Sequence, residues 1–111
     1  MGYDIHLTRR EHWFDENEPE ISLQQWLEYV ATDSEIQPDP ENPDPENFVV
    51  TLDGVVWPLW WDRGEVTTKN PHERVIIKLV KVAQVLKARV LGDDDEIYGS
   101  DPGNPLSVER R

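Results

Sequence analysis

The sequence contains no cysteine and a single methionine in 111 residues, so it offers neither a disulfide framework nor a thiolate zinc site. It has no apolar run of 18 residues. Its first residues lack the basic, apolar and small-residue succession of a secretory signal. The expectation is a mature chain without a membrane span, cytoplasmic by default. Sequence signatures of catalysis are missing as well: there is no glycine-rich phosphate loop, no HExxH pair and no GxSxG elbow. No catalytic residue, cofactor or resident metal is assigned on these grounds, and the chain is expected not to be an enzyme.

Positive charge is scarce over the first half. Up to Asp62, 15 acidic residues stand against Arg9 and Arg10, whereas from Arg63 onward eight acidic and nine basic residues nearly cancel. The net charge of −12 argues against nucleic acid and anionic membrane surfaces, both of which attract basic patches, and favours a basic protein partner. The length suits one domain with its own core.

What is present centres on residues 48–69, FVVTLDGVVWPLWWDRGEVTTK, which hold three of the five tryptophans. Asp53-Gly54 between two apolar runs is a strong hairpin signal. A two-residue loop there sets Leu52 opposite Val55, Val50 opposite Trp57 and Phe48 opposite Leu59. A second two-residue loop at Arg63-Gly64 sets Val66 opposite Trp61. These residues form a core face, while Val49, Thr51, Val56, Pro58 and Trp60 take the other face. In this register the Pro58 nitrogen points away from Val49, towards the strand that begins at Glu65.

Elsewhere, Tyr3, Ile5 and Leu7 alternate with Asp4, His6 and Thr8 as a half-buried strand. Ser22 with Gln25 makes a capping box, flanked by Ile21 and Trp26 as a hydrophobic staple. Leu23, Trp26, Leu27, Val30 and Ala31 then form one helical stripe. Residues 38–47 read PDPENPDPEN, a tandem repeat expected to be a stiff acidic connector. Asn70-Pro71-His72-Glu73 resembles a helix start with Asn70 as cap, and the helix runs to about Lys87. Its basic outer stripe is Arg74, Lys78 and Lys81, with Ile77 and Val85 beside it. Short strands flank the turn at residues 92–95, and residues 99–111 form a loosely held tail after a domain spanning 1–98. The order β-α-β-β-β-α-β-β predicts an α+β two-layer sandwich, a mostly antiparallel sheet with two helices on one face. The expected core is Ile5, Leu7, Leu23, Trp26, Leu27, Val30, Val50, Leu52, Trp57, Leu59, Trp61, Ile76, Leu79, Val80 and Ala83.

Two groupings carry potential chemistry. Asp4 and His6 share a strand face, an arrangement able to orient an imidazole, although a solvated face is the plainer expectation. His12 and His72 look isolated. Asp93, Asp94, Asp95 and Glu96 gather oxygen ligands but lack the spacing of an EF-hand loop, so a solvated acidic turn is expected. A metal-dependent enzyme or metal binder built on Asp4, His6 and this turn is the first alternative function. A homo-oligomeric module, such as a homodimer through Ile77 and Val85, is the second.

The segments Tyr3-Asp4-Ile5-His6-Leu7-Thr8-Arg9, Ile21-Ser22-Leu23 with Trp26, Lys69-Asn70-Pro71, and Gly92-Asp93-Asp94-Asp95-Glu96-Ile97-Tyr98 together resemble a family of small, uncharacterised bacterial proteins. That family looks like the immunity-type proteins that neutralise polymorphic or contact-delivered toxins. The resemblance implies a protein that binds and inhibits a toxin by occlusion. Candidate partner-binding residues are Trp60 and Val56 on the outer sheet face, with Glu16, Glu18, Asp39, Glu41, Asp44 and Glu46 in the acidic loops.

Overall fold

The computed structural model describes residues 2–15 and 19–111. Its elements are β1 (Asp4–Thr8), α1 (Leu23–Val30), β2 (Ile36–Pro38), β3 (Asn47–Leu52), β4 (Val55–Asp62), β5 (Glu65–Lys69), α2 (Glu73–Leu86), β6 (Arg89–Gly92), β7 (Ile97–Tyr98) and β8 (Val108–Glu109). This is an α+β fold in the expected order, to which β2 and β8 are added as short edge strands. The eight strands form one antiparallel sheet in the order β2-β3-β4-β5-β1-β6-β7-β8. The strand nearest the N-terminus therefore lies inside the sheet, paired on both edges.

Turn chemistry fixes the register. Asp53 and Gly54 have φ of 42° and 88°, Arg63 and Gly64 47° and 89°, the left-handed pairs that match the twist of a two-residue hairpin. Leu52 opposes Val55, Val50 opposes Trp57, Phe48 opposes Leu59 and Trp61 opposes Val66, as the alternation predicts. Pairing of β4 with β5 runs from Asp62 to Trp60 and stops short of Pro58, which has no N–H to give. The Pro58 carbonyl instead accepts the Thr68 hydroxyl at 2.7 Å.

The helices sit over the face that carries Ile5, Leu7, Phe48, Val50, Leu59, Val66 and Val90, all buried in one core with Trp26 of α1 and Val75, Leu79 and Val82 of α2. The Ser22 capping box forms as expected, and both staple residues, Ile21 and Trp26, are fully buried. The Trp26 ring meets Phe48 edge-on at 5.7 Å. Of the expected core, Leu23, Val30, Leu52, Trp57 and Trp61 pack at its margin. Leu27 is a correction: it is 43% exposed. Helix α1 has eight residues, and the adjacent Trp26 takes the contact with the sheet, leaving Leu27 about 100° further round.

Other expectations change where side chains bond the backbone. Helix α2 is capped by His72, whose Nδ1 accepts the Arg74 N–H at 3.1 Å, and not by Asn70. Asn70 adopts φ of 46° and uses its side-chain oxygen to accept the Tyr3 N–H. Residues 38–47 are not an extended connector: Pro38 ends β2, Asn47 begins β3, and residues 39–46 between them are a folded loop. Asp39 accepts the Glu41 N–H and the Asn42 side-chain amide, and its own N–H donates to the Asn47 carbonyl. The tail expected to be loose returns to the sheet: Tyr98 opposes Val108, and Gly99 donates to the Ser107 carbonyl at 2.8 Å. Arg111 donates to the Glu11 and Asp95 carbonyls. Among the described residues no helix is long and apolar enough to cross a membrane.

Two of the three cations on the outer stripe of α2 are engaged, while Lys81 is exposed. Arg74 donates to the Asp53 carbonyl, and Lys78 lies 2.8 Å from Asp33 and 2.6 Å from Glu35. Ile77 lines a groove with Leu52, while Val85 is 66% exposed. The Asp33–Lys78 pair ties the turn after α1 to α2, with side chains 8% and 13% exposed. Burial alone would raise the Asp33 pKa, but the bonds from Lys78 and Tyr29 outweigh it and hold the carboxyl below its ordinary value. Its stabilising contribution is complete above the unfolded value of about 4 and is lost as pH falls through the lowered folded value. Asp33→Asn should cost about 1–2 kcal/mol at pH 7 in urea titrations, and the deficit should shrink below about pH 4. An equal deficit at pH 7 and pH 3 would contradict the pairing.

Candidate functional site

The outer face of the sheet, opposite the helices, holds the densest polar arrangement. Register places His6 of β1 beside Leu91 of β6 and Thr67 of β5 on this face. A solvated strand face was expected, yet His6 is 3% exposed. Its Nδ1 lies 2.9 Å from Glu65 Oε1 and its Nε2 3.0 Å from Asp93 Oδ1. Trp13 closes over the ring, with centroids 4.2 Å apart and planes inclined by 9°, and its indole N–H donates to the Asp93 carbonyl. Burial by itself would lower the His6 pKa, but the bonds to Glu65 and Asp93 outweigh it and raise the pKa above the ordinary histidine value.

Two further groups complete the cluster. Asp4, two residues from His6 on the same strand face, gives its N–H to Asp93 Oδ2 at 2.8 Å and places its carboxylate 3.4 Å from Lys69 Nζ. Arg10 is 4% exposed and lies 3.9 Å from Glu65 Oε2. That oxygen and Arg10 Nε are buried without a hydrogen-bond partner among the described residues. Beside them is a cleft of about 140 Å³ lined by Arg10, Trp13, Phe14, Asp62, Arg63 and Glu65.

The acidic turn is divided, not uniformly solvated. Asp93 points to His6, while Asp95 pairs with His12 and Arg111. Asp94 stays exposed, and Glu96 turns inward at 2% exposure. Glu96 accepts the hydroxyls of Tyr3 and Tyr98, whose pKa values rise through burial and the neighbouring carboxylate. Gly92 makes room for it: a Cβ there would stand 2.3–2.4 Å from the Glu96 carboxyl atoms.

Of the residues anticipated to bind a partner, Val56 and Trp60 do share the outer face, with Val56 60% exposed and Trp60 half-buried. With Trp57, Pro58, Lys69 and Asn70 they line a shallow, largely apolar depression of about 500 Å³. Glu41, Asp44 and Glu46 are exposed on the β2–β3 loop, while Asp39 is half-buried and engaged in its own turn. This loop meets the strip directly, since Asn47 opposes Trp60 and the Glu46 carbonyl accepts the Trp61 N–H. Glu16 and Glu18 lie outside the described residues.

Glu65, Trp13 and Arg10 were not assigned to a site from the sequence. Two signals point to them in hindsight. Glu65 precedes the core residue Val66, so it must face the same side as His6, and the aromatic run at residues 12–14 needs a surface to cover. Comparison of the chain with protein-family models, curated proteins and solved structures finds no match.

Removing the lid over His6 tests this arrangement. Trp13→Ala should lower stability by about 2 kcal/mol, less than the ~3–5 kcal/mol typical of a fully buried tryptophan. The His6 ring protons should shift as the indole ring current disappears. Unchanged His6 resonances would show that the two rings do not stack.

Proposed function

We propose that this chain is a small acidic protein that binds a basic protein partner and inhibits it by occlusion, as an immunity protein acting on a toxin. The observation that carries this reading is the strip of Val56, Pro58 and Trp60 on the sheet face away from the helices, bordered by an acidic loop. An apolar centre with a charged rim is the common anatomy of a protein interface, and aromatic anchors at such centres supply most of the binding energy. The carboxylates of Glu41, Asp44 and Glu46 would steer a cationic partner and speed encounter. The chain acts in this reading by binding, in the cytoplasm, without transforming a substrate.

The direct test is co-expression with a basic toxin encoded beside its own gene. The wild-type chain should restore growth, and Trp60→Ala should weaken the complex at least tenfold, about 1.4 kcal/mol, with little change in urea midpoint. Trp57→Ala should do the reverse, because Trp57 packs against the core and its indole donates to the Lys69 carbonyl at 3.0 Å. Glu41, Asp44 and Glu46 changed together to Gln should slow association and reduce its salt dependence. Failure of rescue, or equal loss of stability in Trp60→Ala and Trp57→Ala, would count against the proposal.

A further inference from the structure

We propose that Asp4, His6 and Asp93 form a binding site for a divalent transition metal of the zinc class, with Glu65 orienting the imidazole from behind. One donor atom from each of the three residues lies within 4.8 Å of the others. The chemistry of the imidazole makes the case stronger than proximity alone. A neutral imidazole carries one N–H, and Glu65 Oε1 at 2.9 Å from Nδ1 is a fitting acceptor for it. In the metal-free chain a proton on Nε2 joins it to Asp93 Oδ1 at 3.0 Å, and a metal ion would take that proton's place between the two atoms.

A metal ion fits this spacing without large movement. Zinc-class ions hold nitrogen and oxygen ligands at about 2.0–2.2 Å, which sets neighbouring ligand atoms roughly 3 Å apart. Asp93 and His6 already have this spacing. Asp93 is braced by the Asp4 N–H on its second oxygen, and His6 by Trp13 across its ring face. Asp4 has a side chain 39% exposed and paired with Lys69 at 3.4 Å, leaving it free to swing inward. Glu65 on the far nitrogen reproduces the carboxylate–imidazole–metal relay that fixes a ligating tautomer.

The charge balance accommodates such an ion. Around His6 stand three carboxylates, Asp4, Glu65 and Asp93, against the cations Arg10 and Lys69 and the protonated ring itself. Glu65 is 8% exposed and keeps one oxygen without a hydrogen bond. An ion that displaces the Nε2 proton leaves the ring neutral and itself supplies the positive charge that the carboxylates need. One imidazole with two carboxylates suits borderline ions such as Zn²⁺ or Ni²⁺ better than Ca²⁺, which takes six to eight oxygens.

The test needs no partner protein, so its outcome is separate from that of the binding function. The purified, chelator-treated chain is titrated with Zn²⁺, Ni²⁺, Mn²⁺, Mg²⁺ and Ca²⁺ by calorimetry and thermal melting. The expected result is 1:1 binding of Zn²⁺ or Ni²⁺ with a melting point raised by several degrees, and no response to Ca²⁺. Asp93→Asn should weaken binding at least tenfold. Asp4→Asn changes an exposed side chain, so it should keep the fold while also losing at least tenfold in affinity. No heat and no melting shift in the wild-type chain would overturn the proposal. So would binding that is unchanged in both variants, which would place the ion at His12 or His72.

Discussion

An imidazole held at both nitrogens by carboxylates from different parts of the chain organises the outer face of this sheet. His6 comes from the central strand, Glu65 from the start of β5 and Asp93 from the turn after β6. Together they clamp the three strands at the middle of an eight-stranded sheet on the side the helices do not reach. The neighbouring interactions build on that clamp. Trp13 stacks on the ring, Arg10 faces Glu65, and Asp95 of the same acidic turn receives Arg111 from the C-terminal end. A polar centre thereby fastens the loop after β1 and the tail to one place.

Coverage explains why the centre is needed. Two helices, of eight and 14 residues, span about 12 and 21 Å, enough for one face of the sheet and not for both. Over β1, β5 and β6 the second face is closed by the loop that carries Trp13 and Phe14. Over β3 and β4 it is left to Val56, Pro58 and Trp60. The acidic β2–β3 loop runs alongside that strip instead of over it. The molecule therefore sets a sealed, charged cluster and an apolar strip on one side, and its hydrophobic core on the other.

Much of this was legible in the amino-acid order, for reasons tied to local chemistry. Asp53-Gly54 and Arg63-Gly64 specify their turns through backbone conformation alone, so the hairpin register and the split of Trp57 and Trp61 from Trp60 could be read directly. Ser22 with Gln25 specified the start of α1 in the same way. The cap of α2 was misplaced because Asn70 spends its side chain on Tyr3, a partner 67 residues away. The same limit applied to the site. Asp4 and His6 were visible as a pair, but the burial of His6 depends on Trp13, Glu65 and Asp93, which local periodicity does not connect. Leu27 looked like core because a helical stripe does not say how much sheet lies beneath it.

Strand β4 separates a sealed face from an open one, residue by residue. A soluble paramagnetic agent added to the methyl- and indole-labelled chain measures this directly by NMR relaxation. The Val56 methyls and the Trp60 ring should relax strongly, while those of Leu59, on the opposite face and fully buried, and of Trp26 in the core should be spared. If Val56 and Trp60 were as protected as Leu59, the outer face would be closed, and the account of it as a contact surface would be wrong.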